Sequence, residues 1–303
     1  MPGMPDPQPM PARSQPAPAS IGLFSTLTSV GSRELVLRIL AACVSGEIPG
    51  VRPAFLLVER EAGESEQTDA SLAEIAARHP DLRIVRASAV RFQAQARKAA
   101  RAAGDEAALW RWRDAFYASY RERLPASDLD LLLGSMWIWG ARQCAERRGV
   151  NLHPSLPSGP LGKMWFEVIW DLVVQDAAES GVMLHRVTPE VDEGPVVAWC
   201  RYRLRDPELD ALRATLPACS EDRVALINLE RALKREATHP LFHAIRARGY
   251  ARELPLMLET VRAVAEGRLR LERGGVYGAD GAEIVGGLEL TREVEAALAR
   301  REG

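Results

Sequence analysis

The stretch IGLFSTLTSVGSRELVLRILAACVSG, residues 21–46, opens with a short apolar run of β-compatible residues, crosses a loop of small residues, and continues with Leu35, Leu37, Ile39 and Leu40 in helix-like grouping. It predicts a strand, a loop and a helix. RPAFLLVER (52–60) repeats the strand signal, ASLAEIAARHP (70–80) reads as a helix stopped before Pro80, and LRIVRAS (82–88) makes a third strand. This alternation is that of βαβ units, which build an open, mostly parallel twisted sheet with helices on both faces: an α/β protein.

The rest of the chain extends the pattern. Residues 90–109 are Ala/Arg-rich and helical in character, and the segment 110–124 continues helically to Pro125. LDLLLGSMWIWG (129–140) is nearly continuously apolar, as expected of a strand buried on both faces. A helix around ARQCAERRG (141–149) leads into GVNLHPSLP (149–157), and MWFEVIWDLVVQDAAESG (164–181) predicts an amphipathic helix with Trp165, Ile169 and Val173 at steps of four. Two strands follow, GVMLHRVTP (181–189) and PVVAWCRYRL (195–204), around the polar turn EVDEG. From Asp206 the chain reads as a helical extension ending in a β-hairpin at GRLRLERGGVYGADGAEIV (267–285), with GADG separating two β-prone runs. The expected organisation is a disordered Pro-rich tail over 1–20, a catalytic domain over 21–205, and a helical C-terminal extension over 206–303 packing on it.

Composition narrows the partners. A net charge of -2 in 303 residues supplies no field that would attract nucleic acid or an anionic membrane, and no run has the length of a membrane span. The four cysteines form no CxxC pair, so neither a zinc site nor a disulfide framework is suggested, and a cytoplasmic location is expected. The partner to look for is a small molecule, bound by a monomer or homodimer without a metal.

In a strand, Asn151 and His153 project from one face while Leu152 packs on the other, and Pro154 ends the pairing. Open α/β sheets bind ligands beyond the carboxyl ends of their strands. There an amide NH2 can donate to a developing oxyanion, and an imidazole can donate, accept or shuttle a proton. Taken alone, the pair reads more readily as a turn cap and a hydrogen-bonded histidine at a strand end. Asp192 changes the balance, because the turn carrying it, punctuated by Pro189, Gly194 and Pro195, joins two strands that would return it to the crevice, where a carboxylate would orient the imidazole. Ahead of the first predicted helix, Gly31, Ser32 and Arg33 lie in a loop whose amides and guanidinium suit a phosphate or carboxylate, or serve only the strand-to-helix turn.

NLHPSLP and GVMLHRVTPEVDEGPVV, in this order and at this distance, resemble the two signatures of the folate-dependent formyltransferases, most closely the phosphoribosylglycinamide formyltransferase branch, from Ile21 to about Leu204 and again weakly near LPLMLETVRAVAEGRLRL. The resemblance implies the formyltransferase fold and transfer of a formyl group from N10-formyltetrahydrofolate, as co-substrate, to a primary amine. It implies that Asn151 and His153 stabilise the tetrahedral oxyanion and that His153 and Asp192 handle the proton. It further implies a pterin site at Met136, Trp137 and Ile138 and at Glu190 and Val191 of the turn, with His185 close by; plain core packing is the other reading of Trp137 and Trp139. The implied acceptor is glycinamide ribonucleotide, a phosphorylated amine of purine biosynthesis.

Among its departures from that branch, which include one leucine missing from NLHPSLP and the segment SGPLGKMWFEVIWDLV after it, two bear on the acceptor. The loop after the first strand reads Gly31-Ser32-Arg33 where the branch has Gly-Ser-Asn, and Gly249 stands at the spacing of the branch's ribonucleotide-binding glutamate, surrounded by Arg246, Arg248 and Arg252. Arg248 is therefore a candidate for holding a more anionic acceptor. A formyltetrahydrofolate hydrolase, a formyltransferase acting on an amino sugar, and a non-catalytic folate- or nucleotide-binding protein are the other readings.

Overall fold

The computed structural model describes residues 18–134, 139–272 and 274–302. The first half alternates as expected: β1 (Ala19–Ser25), α1 (Val30–Ser45), β2 (Val51–Val58), α2 (Glu66–Arg78), β3 (Ile84–Arg86), α3 (Ala94–Ala103), α4 (Glu106–Tyr120), β4 (Leu129–Leu132), α5 (Ala141–Glu146) and β5 (Gly149–His153). Then come α6 (Trp165–Val174), β6 (Glu179–Arg186), β7 (Val196–Arg203), α7 (Pro207–Arg213), α8 (Ser220–Leu233) and α9 (Pro240–Ala265). The chain closes with β8 (Arg270–Glu272), β9 (Gly275–Tyr277), β10 (Leu288–Glu289) and α10 (Thr291–Glu302).

Eight strands form one sheet in the order β10-β7-β6-β5-β4-β1-β2-β3. All run parallel to their neighbours except β6, which is antiparallel to both β5 and β7. From β1 the chain winds outward through β2 and β3, then returns to the other side of β1 with β4 and β5. The strand order therefore reverses between β1 and β4, and the crevice beyond their carboxyl ends is where such a sheet takes ligands.

The two sheet faces carry separate cores. Alternate residues of the central strands, such as Leu23, Leu131, Val150 and Leu184, pack on one face against α1, α6 and α9 through Ile39, Ile169 and Val261. The other face places Phe24, Phe55 and Leu132 against Trp112 and Phe116 of α4, with Trp139 among them. Each such side chain removed from water contributes about 1.5–3 kcal/mol. Trp139 is fully buried 5.0 Å from Phe24, and its ring lies where a β-carbon on Gly149 would stand, 2.4 Å away. It is a core residue. Below it, Arg147 and Asp130 form a buried ion pair (2.8 Å), with the guanidinium 5.0 Å from the Phe55 ring.

Three expectations need correction. Strand order begins at Ala19 rather than Ile21, because Ala19 N–H already donates to Gly50. The expected hairpin forms between β8 and β9, ahead of GADG rather than around it; GADG lies in the next bend, bridged by Tyr277 and Glu283. Nor does the chain end there, since β10 joins the main sheet beside β7 and α10 follows.

Candidate active site

β5 places Asn151 and His153 on one sheet face, and β6 sets His185 directly opposite Asn151 and Met183 opposite His153. Directly opposed residues share a face, so both histidines and the amide project together. The pairing of β6 with β7 slips between Leu184 and His185, a local bulge of the kind that re-aims a side chain.

The turn from β6 to β7 folds back over that face. Arg186 N–H donates to Pro195 (2.8 Å), and a β-carbon on Gly194 would lie 1.9 Å from the Arg186 carbonyl oxygen, so this close approach requires glycine. Asp192 sits in the left-handed region with φ 60°, which aspartate tolerates better than most residues. The result is a carboxylate shared by two imidazoles: Oδ2 is 3.4 Å from His153 Nδ1 and Oδ1 is 3.2 Å from His185 Nε2. Both histidines are 3% exposed and the Asp192 side chain 12%.

The second nitrogen of each ring faces a main-chain carbonyl, Pro160 for His153 Nε2 (2.7 Å) and Arg186 for His185 Nδ1 (3.0 Å). A carbonyl only accepts, so each of these nitrogens carries a proton, and Asp192 faces the other nitrogen of each ring. Burial pushes the Asp192 carboxyl up, but the two imidazoles outweigh it and hold the group well below the usual carboxylate range. This set can hold charge and pass a proton between Asp192 and either imidazole, beside the half-buried Asn151.

The other predicted residues fall in three places. Glu190 and Val191 share the Asp192 turn and are exposed, with the Thr188 hydroxyl donating to the Glu190 carbonyl (2.9 Å). Met136, Trp137 and Ile138 lie outside the described residues. Gly31, Ser32 and Arg33 belong to the first turn of α1 instead of the loop before it, because Ser29 caps the helix in a reciprocal capping box with Ser32. The Ser32 hydroxyl is thereby used within the cap, and Arg33 reaches α2, with Nε 2.8 Å from Glu74. Arg248 is likewise engaged: Asp206 and Glu208, flanking the start of α7, take its guanidinium. Its neighbour Gly249 packs on Tyr202, whose side chain alternates to the sheet face opposite that of His153. The structure thus assembles Asn151, His153, His185 and Asp192, and leaves Arg33 and Arg248 apart from them. Pro160 was not foreseen as the partner of His153; Gly159 and Pro160 signal only that the backbone there comes close to something.

Among the described residues, no group of three or more His, Cys, Asp or Glu is disposed to hold a metal ion, and no helix is long and apolar enough to cross a membrane.

The architecture is the formyltransferase fold. A phosphoribosylglycinamide formyltransferase from Coxiella burnetii, solved with CHES, superposes with a TM-score of 0.57 at 17% identity, over 90% of this chain and 99% of that one. A glycinamide ribonucleotide transformylase from Symbiobacterium toebii gives 0.55 at 20% identity, over 89% and 98%. The phosphoribosylglycinamide formyltransferase of Anaplasma phagocytophilum gives 0.51 at 16% identity, over 90% and 99%. At these identities the likeness is one of fold. No protein-family model and no curated protein sequence matches the chain.

Proposed function

We propose that this protein transfers a formyl group from N10-formyltetrahydrofolate to a primary amine. The observation that carries this reading is the convergence of His153 and His185 on Asp192, on the face and level of Asn151. In this reading the amine nitrogen attacks the formyl carbon, and the carbonyl oxygen becomes an oxyanion. The Asn151 carboxamide donates to that oxygen, and His153 Nε2–H joins it by exchanging the Pro160 carbonyl for the oxyanion, in a setting poor in water, where a fixed donor is worth more than in solvent. Asp192, facing Nδ1, holds the His153 ring in that donor orientation and offsets the charge it shares with the oxyanion; the proton that leaves the attacking amine passes to the folate nitrogen as its bond to carbon breaks. Glycinamide ribonucleotide is the acceptor to try first, since the structures sharing this fold are those of enzymes named for it.

The test is incubation with 10-formyltetrahydrofolate, with and without amines, following tetrahydrofolate and formate. Tetrahydrofolate formed only when an amine is present, with the formyl group recovered on that amine, is the expected result. Stoichiometric formate release without any amine would replace transfer by hydrolysis.

A further inference from the structure

The end of α6, α7 and the first two turns of α8 surround an open cleft of about 810 Å³, within the range of roughly 300–1,000 Å³ usual for small-molecule sites. Helix α6 packs on the sheet face that Val150 and Leu152 present, the reverse of the face carrying Asn151 and His153. None of Asn151, His153, His185 and Asp192 lines the cleft. Its depth is apolar, with Val173, Leu216 and Ile227 buried. Two more valines, Val174 on α6 and Val224 on α8, line the same space but remain 59% and 58% exposed. An occupant with an apolar body would take both out of water, which is favourable in proportion to the area covered.

The charges around the cleft do not balance. Three guanidiniums line it, Arg205, Arg213 and Arg223, against two carboxylates, Asp176 and Asp210. Arg205 pairs with both carboxylates. Arg213 is left with a share of Asp176, whose Oδ1 is 3.4 Å from Nη1, and a long contact from Nη2 to the Leu204 carbonyl (3.4 Å). Its Nε and Nη1 are buried without a hydrogen-bond partner. Burial, and then the neighbouring Arg205, pull the Arg213 guanidinium below its usual range, beyond what Asp176 and Asp210 restore. Arg223 is exposed and held by its Nε, which donates to the Pro217 carbonyl (2.9 Å); it pairs with no carboxylate among the described residues. Its two terminal nitrogens form an oriented fork, the geometry that takes a carboxylate through two parallel hydrogen bonds. One positive charge in excess matches a monoanion.

We propose that this cleft is a second binding site, for a small monocarboxylic acid with an aliphatic body. The body lies against Val174 and Val224, and the carboxylate takes the fork of Arg223 and offsets the charge of Arg213. The proposal does not depend on formyl transfer, because it uses no residue of the His153 site.

Calorimetry on the full chain tests it with three probes: octanoate, acetate for the charge without the chain, and 1-octanol for the chain without the charge. Octanoate should saturate a single site, and the other two should bind at least about 10-fold more weakly, each lacking one half of the recognition. Arg223→Gln should weaken octanoate roughly 10–100-fold, the loss expected for a hydrogen-bonded charge. Val224→Asn should weaken it roughly 3–10-fold by removing apolar cover. Both side chains are exposed, so thermal melts of these variants should match wild type. Arg235→Gln, at an exposed arginine outside the cleft, should bind octanoate as wild type does. No saturable octanoate binding, unchanged affinity in either Arg223→Gln or Val224→Asn, an equal loss in Arg235→Gln, or acetate binding as tight as octanoate overturns the proposal.

Discussion

Asp192 Oδ2 stands 3.4 Å from His153 Nδ1, and the residue that supplies this carboxylate has a left-handed backbone. Side-chain charge and main-chain conformation are therefore both demanded at one position, and substitutions can separate them.

Asp192→Asn keeps a residue that tolerates φ 60° and removes the charge. The turn should persist and turnover should fall, whereas Asp192→Ala should lose stability as well. The sign of the pH dependence follows from the depressed carboxyl. A group whose folded pKa lies below its unfolded value stabilises the fold fully above the ordinary carboxylate range, near about 4, and loses that contribution as pH falls through the lower folded value. Thermal melts of wild type and Asp192→Asn should differ most at neutral pH and converge under acid. A gap that stays constant down to strongly acidic pH would rule out the ion-pair account.

His153→Ala removes the imidazole that links Asp192 to the crevice. In single-turnover assays the rate should drop about 10²–10⁴-fold, the range for loss of a positioned acid–base group, with 5-formyltetrahydrofolate affinity nearly unchanged. Full activity in this variant would sink the proposed mechanism.

Gly194→Ala asks for a β-carbon where the Arg186 carbonyl already lies, 1.9 Å away. The backbone must give, at a cost of about 1–3 kcal/mol, carrying Asp192 away from the histidines. Urea unfolding and activity should fall together; a fully active, equally stable variant would mean that the turn is not held by this contact.

Asp130→Ala tests the base of the sheet independently of the site. It strands Arg147, 9% exposed, against Phe55, and removing one member of such a buried pair costs about 3–5 kcal/mol. A loss below about 1 kcal/mol in urea unfolding would show that water or another group reaches the guanidinium.

Much of this was readable along the chain because it depends on local rules. Period-two and period-four apolar spacing marks β1 to α2, and same-face projection pairs Asn151 with His153. Glycine and proline bracketing marks the turn of Asp192. What escaped depends on distant partners, which leave no local pattern. Arg33 looks free until Glu74 of α2 is brought to it, and Arg248 looks like a ligand until Asp206 and Glu208 close on it. The two-residue β10 is too short to announce itself, and gains its place only by pairing with Ala198 and Trp199. The slip beside His185 exists only in the pairing of two strands.

The lone reversed strand has a mechanical consequence. Because β6 runs against β5, the separation of the His153 and His185 side chains is set by rungs of a hydrogen-bonded ladder, and a two-stranded turn pinned by Gly194 delivers the carboxylate to both. Trp165, Arg246 and Tyr250 stand on helices outside that ladder. The imidazole pair is thus mounted on the sheet and these side chains on helices, so substitutions among the helices leave the spacing of the two rings where the ladder holds it.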